Sequence, residues 1–251
     1  MPELAYKNKK VKKIITIKYD VIGPTTNSIV TNTAFKEIHM RVSTLRSIIS
    51  QAFYHEEKAH CLQRHLKLRI EDLPNRLKIE KDKELESLNK FAMEYIHHVP
   101  DFLESLKQAS ENAGIENHVF PFLKVAEDYF TKPPTLPDDH LGLMALMDEA
   151  YLAHRLFEEV NDRYIARVGM PLIPWDMTLA NVVAHQLVGE ELANKLDALV
   201  QRTVDKMMPA EKSYDSRKFK DYVASEKGNL TSILQQWPCM GNASGIEWAF
   251  S

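Results

Sequence analysis

Thirteen residues, Phe53 to His65, carry the run FYHEEKAHCLQRH, with three histidines, two glutamates and a cysteine. Imidazole, carboxylate and thiolate are the side chains that bind zinc, iron and manganese, so spacing decides which of them could act together. Glu57 and His60 stand three apart, as do Glu94 and His97. On a helix that spacing puts a carboxylate and an imidazole on one face. Both pairs fall on polar rows, however. Glu57 and His60 share theirs with Lys36, His39, Ser43, Arg46, Ser50, Arg64 and Lys67, Phe53 being its one apolar member, whereas Glu94 and His97 lie opposite the stripe Ala92, Tyr95, Val99. The sequence predicts that both pairs face solvent.

Three other histidines lie on or beside apolar rows. His55 fills the gap in the stripe Leu45, Ile48, Ala52, Ala59, Leu62, Leu66. His154, together with Asn161, falls inside the arc Leu143, Met147, Ala150, Phe157, Tyr164, Val168, with Glu158 one turn along its flank. His185 stands at the margin of the face formed by Leu179, Val182, Val183, Ala193, Val200 and Val204. Glu56 and Glu190 are close in sequence to the first and last of these.

A buried imidazole without a partner costs a few kcal/mol, so each needs a hydrogen bond or a metal. His55, His154, Glu158 and His185 form the predicted metal set for iron, manganese or zinc, which would make the protein a metal-dependent helical-bundle enzyme, redox or hydrolytic. The plainer expectation is a core histidine bonded to a backbone carbonyl or a neighbouring carboxylate. Known bundle patterns match only in part. The ferritin-like arrangement needs Glu-x-x-His on two helices besides two lone glutamates, and the late helices here have none. His154 and Glu158 supply the His-x-x-x-Glu of a hemerythrin-like site, but no His-x-x-x-His follows.

The elements that must position these residues follow from composition and periodicity. Only 8 of 251 residues are glycine, against a usual share of about 7%. Few tight turns are available, which favours long helices and leaves no phosphate-cradling glycine loop. Apolar residues recurring at three and four predict a helix from about 38 to 66 that stops near Pro74. A second begins around Lys78, and a third opens at Pro100 and closes at Gly114. A shorter one spans about 116 to 131. Asp138 or Asp139 caps a fifth that ends at Gly169, Asp176 caps a sixth that runs to about Met208, and a weaker seventh lies in SRKFKDYVASEKG.

The expected fold is all-α, a multi-helix bundle of about five to seven helices. A basic arm and short strand occupy residues 1–30, the bundle 31–208, and a weak helix with an irregular aromatic tail 209–251. The net charge of -3 carries no global field toward nucleic acid or anionic lipid. No apolar run is long enough for a membrane span or a signal peptide. The 2 cysteines, Cys61 and Cys239, point to a reducing, cytoplasmic setting.

With no nucleophile motif in view, the leading expectation is a non-catalytic helical interaction or scaffold subunit of a larger complex. Its contacts would be Lys9, Lys10, Lys12 and Lys13 in the arm and Trp237, Trp248 and Phe250 in the tail, since aromatic anchors suit docking into a groove, on the same molecule or on another. A protein partner is therefore expected. The lysine arm also offers a nucleic-acid contact whose affinity would fall steeply with salt.

Overall fold

The computed structural model describes residues 29–73, 77–112, 114–134, 140, 142–173, 176–208, 217–226 and 246–248. Lys9, Lys10, Lys12, Lys13, Trp237, Phe250 and the strand expected before Gly23 lie outside them.

Eight α-helices make up the described residues: α1 Ile29–Ala59, α2 Cys61–Arg69, α3 Glu84–Asn112, α4 Glu116–Thr131, α5 Leu143–Val168, α6 Thr178–Val188, α7 Glu190–Met207 and α8 Arg217–Glu226. Two short strands, β1 Leu77–Lys78 and β2 Glu247–Trp248, complete them. The all-α bundle is as the periodicity predicts, but the count exceeds the expected range. Two expected helices each break in two, and two others fuse.

The first break is at His60. Its backbone is left-handed (φ 49, ψ 37), the one non-glycine residue with positive φ among those described. Leu62 and Leu66 are buried on α2, but α2 has its own phase. The buried row of α1 runs Val42, Leu45, Ile49 and on to Glu56, not His55. Glu56 then serves the break: its carboxylate accepts the backbone N–H of Cys61 (3.0 Å) and of Gln63 (3.2 Å). These are two of the donors that a helix start leaves unpaired. A negative charge there also complements the helix dipole.

The second break is at Gly189, where φ 97 and ψ 137 divide the expected 176–208 helix into α6 and α7. Only glycine occupies that region without strain. Asp176 still acts at the start of α6, its Oδ1 accepting Thr178 N–H at 2.9 Å.

The fusion is at Pro100, expected to open a helix and found buried inside α3. An internal proline costs about 3 kcal/mol. Tyr95, Ile96, Val99, Phe102 and Leu103 flank it and are all buried. Each buried apolar side chain of this size returns about 1.5–3 kcal/mol, so packing outweighs the lost hydrogen bond.

Helix α5 is the axis of the bundle and packs against α1, α2, α3, α4, α6 and α7. It starts at Leu143 behind Gly142 (φ 60), later than the start expected just after Asp138 or Asp139. Because neighbours surround it, polar residues are buried along with apolar ones: Asp148, Glu149, His154 and Asn161 all lie inside. Asn161 clamps the following connection through both amide atoms, donating to Ile173 O (2.8 Å) and accepting Ile173 N–H (3.0 Å). That clamp sets where α6 begins relative to α5.

Residues 246–248 pack on the same chain. Strand β2 pairs antiparallel with β1, Leu77 opposite Trp248 and Lys78 opposite Glu247, and Ile246 is fully buried in the core. Helix α8 joins through Tyr222, whose hydroxyl donates to Leu172 O at 3.2 Å.

Candidate functional site: a polar cleft on α5, α6 and α7

The four residues of the predicted metal set separate into three environments. His55 is exposed. It sits near the start of α5, where a Cβ added to Gly142 would lie 3.5 Å from its Nδ1. The expectation that His55 is buried is corrected, and the reason is the break at His60: a stripe extrapolated through that break rotates α1 by one residue, from Glu56 to His55.

His154 is 1% exposed, as its phase predicts. Its Nε2–H donates to Tyr95 O at 3.1 Å, and its ring lies 4.2 Å from the Tyr95 ring. Burial pushes its pKa down to about 4, so the ring is neutral near neutral pH. This matches the plainer expectation of a core histidine on a backbone carbonyl.

Glu158 and His185 line one cleft. Tyr151, Arg155, Thr178, Asn181, Val182, Gln186 and Asp197 complete its lining, and it is open, with a volume of about 320 Å³. Its walls come from one edge of α5, a half-buried edge of α6 and Asp197 on α7.

Tyr151, Arg155, Glu158, Asn181 and Asp197 are held by one connected set of hydrogen bonds. Arg155 donates from Nη1 to Glu158 Oε2 and from Nε to Asp197 Oδ1, the latter at 2.9 Å. Tyr151 donates its hydroxyl to Asp197 Oδ1 (2.9 Å). Asn181 donates to Glu158 Oε2, and its own Oδ1 accepts the Tyr95 hydroxyl at 2.6 Å. Tyr95 thus links the cleft to His154: the hydroxyl faces Asn181 while its carbonyl receives the imidazole.

His185 stands at the rim, with Nε2 3.4 Å from Asn194 Oδ1 and 4.0 Å from Asp197 Oδ2. Its ring meets that of Tyr151 edge-on at 6.1 Å.

The electrostatics follow from half-burial around two carboxylates. Desolvation, with the Asp197 charge beside it, raises the Tyr151 hydroxyl, and desolvation likewise raises Tyr95. Both phenols remain protonated donors. Burial alone would lower Arg155, but hydrogen bonds and charge from Asp197 and Glu158 outweigh it, and the guanidinium stays charged.

Tyr95, Tyr151, Arg155, Asn181 and Asp197 were not singled out from the sequence. A signal for part of the set was present: Tyr151, Arg155 and Glu158 are spaced i, i+4, i+7, one polar edge along an otherwise buried helix. Nothing local marks Tyr95 or Asp197, which arrive from other helices.

A second polar cluster lies between α2, α5 and the end of α6. His65 Nε2–H donates to Leu187 O (3.0 Å), and His140 bonds Asp148 through Nδ1 (2.5 Å). The two rings stand 5.7 Å apart beside a void of about 10 Å³. Desolvation lowers the pKa of His65, ahead of the raising effect of its bond to Leu187.

The Glu-x-x-His pairs do not converge. Glu57 and His60 are exposed. Glu94 and His97 line a shallow groove between α1 and α3 with Phe53, Lys90, Met93 and His98. Among the described residues, no group of three or more His, Cys, Asp or Glu side chains is placed to hold a metal ion. None of the described helices is long and apolar enough to cross a membrane. No protein-family model, curated protein or solved structure matches this chain.

Proposed function

We propose that the protein binds a small polar molecule in the α5–α6–α7 cleft. The observation that carries this reading is the locked polar wall. Arg155, Glu158, Asp197, Tyr151 and Asn181 are fixed by mutual hydrogen bonds that continue inward to Tyr95 and His154. Half-burying charged groups is costly, and a bundle of this size gains more from apolar packing at the same positions. A rigid polar wall on an open cleft is the form a recognition site takes, because side chains held in advance lose little entropy on binding. The volume, about 320 Å³, falls at the small end of ligand sites. The 2 cysteines suit work in the reducing cytoplasm.

The test is amide chemical-shift mapping of the labelled full chain against a library of small polar compounds. Shifts confined to residues 151–158, 178–186 and 194–197, and lost in Val182→Trp, support the reading. Compounds that map elsewhere, or that bind Val182→Trp equally well, overturn it.

A second reading, the interaction subunit, is favoured by the groove of about 460 Å³ between α1 and α3, where Phe53 and Met93 lie among charged residues. The seating of Ile246 in the core counts against a C-terminal tail held wholly in reserve for a partner. What then supports a partner is the groove, together with the lysines at 9, 10, 12 and 13. A pull-down that survives Phe53→Glu retires the groove as the contact. Nucleic-acid affinity unchanged between low and moderate salt retires the lysine arm. For the metal-dependent alternative, elemental analysis of untagged protein is decisive: metal-free, folded protein ends it.

A further inference from the structure

The proposed cleft has an asymmetry of charge that bears on what it takes. Two carboxylates, Glu158 and Asp197, face one guanidinium, Arg155, and no other lysine or arginine lines the cleft. Arg155 is already engaged: Nε is on Asp197 and Nη1 is on Glu158. An arriving anion would have to strip the guanidinium from these two partners and would still meet a surplus negative charge.

The carboxylates are engaged on one side only. Glu158 accepts from both Arg155 and Asn181 on the same oxygen, Oε2. Asp197 accepts from both Tyr151 and Arg155 on Oδ1. The partner oxygens, Glu158 Oε1 and Asp197 Oδ2, make no hydrogen bond among the described residues, Oδ2 having only the His185 ring at 4.0 Å. Two fixed acceptors on a wall with one negative charge in excess need donors that carry positive charge. Thr178, Gln186 and the apolar face of Val182 complete a lining suited to a short carbon chain bearing such a group.

On the cleft reading above, we infer that the ligand is a small organic cation, an alkylammonium or guanidinium compound, held by Glu158 Oε1 and Asp197 Oδ2. Hydrogen bonding to the second oxygens leaves the inner network intact, so binding requires no rearrangement of Arg155. The neutral partners Tyr151 and Asn181 hold the carboxylates in place while the cation is bound.

The experiment is isothermal titration of the full chain with four probes: putrescine, agmatine, citrate and glucose. Putrescine or agmatine should bind with unit stoichiometry, and more weakly as salt is raised. Asp197→Asn keeps an acceptor for Tyr151 and Arg155 but removes the surplus charge, and should weaken binding by about tenfold or more. Gln186→Lys places an ammonium on the wall without touching the inner network, and should do the same if Asp197→Asn fails to fold. Asp205→Asn removes an exposed carboxylate further along α7 and should leave the affinity unchanged.

Binding of citrate or glucose that is lost in Val182→Trp, with both amines silent, overturns the cation assignment and leaves the cleft reading standing. Silence from all four probes, with no compound mapping to the cleft in the shift experiment, overturns both. Amine binding that is indifferent to Asp197→Asn and Gln186→Lys also overturns the assignment, since the charge would then lie elsewhere.

Discussion

Glu149 offers a sharp test of how burial governs this bundle. It lies on α5 and is 5% exposed, and its Oε2 makes no hydrogen bond. Desolvation, with the neighbouring Asp148 charge second, pushes its pKa up from 4.5 to about 8. The sign follows from proton counting. Between those values the native carboxyl keeps a proton that the unfolded chain has released, so stability is greatest below the unfolded value and falls as pH rises toward 8. Inside that window each pH unit costs about 1.4 kcal/mol, and the slope flattens near the upper end. Raising the pH from 6 to 8 should therefore cost roughly 2–3 kcal/mol, a large part of the stability of an ordinary domain. His154 acts in the opposite direction at the lower end of this range, but equally in the wild type and in a Glu149 variant, so it drops out of their difference. Its folded value, about 4, lies below the unfolded one, so the stability it contributes is present above about pH 6.5 and is lost as pH falls toward 4. The assay is urea unfolding at pH 6, 7 and 8, comparing the wild type with Glu149→Gln, which keeps the shape and cannot ionise. The wild type should lose stability across the series with an unchanged m value, and the variant should lose roughly 2–3 kcal/mol less. Two curves that run parallel would show that Glu149 is solvated and that the reasoning is wrong.

Two further outcomes follow from the backbone and the tail. Gly189→Ala should destabilise by about 1–3 kcal/mol, since alanine is strained at φ 97, while the Arg69 guanidinium that its Cβ would approach is the end of a flexible side chain and can move aside; a melting temperature unchanged from wild type would refute this. Ile246→Ala should cost about 3 kcal/mol, because the side chain is fully buried, and removal of residues 246–251 should cost more; a truncated protein as stable as the intact one would show that the tail is not part of the core.

Much of this architecture is legible in the chain. Scarcity of glycine and apolar spacing at three and four are local properties, and they determine that long helices form and which way most of their faces turn. That is why His154 and Asn161 could be placed inside α5 and the Glu57–His60 and Glu94–His97 pairs on polar rows before any packing was known. What periodicity lacks is knowledge of where a helix will interrupt itself. The left-handed turn at His60 is held by the Glu56 carboxylate reaching forward to α2, and it moves the buried position from His55 to Glu56. The turn at Gly189 and the unbroken passage through Pro100 are decided likewise, by which neighbour offers more burial or a better-paired backbone. The cleft is furthest from the sequence of all. Its members come from residues 151–158, 178–186 and 197, on three helices, and only the crossing of α5 with α6 and α7 converts separate polar residues into one hydrogen-bonded wall with a surplus negative charge.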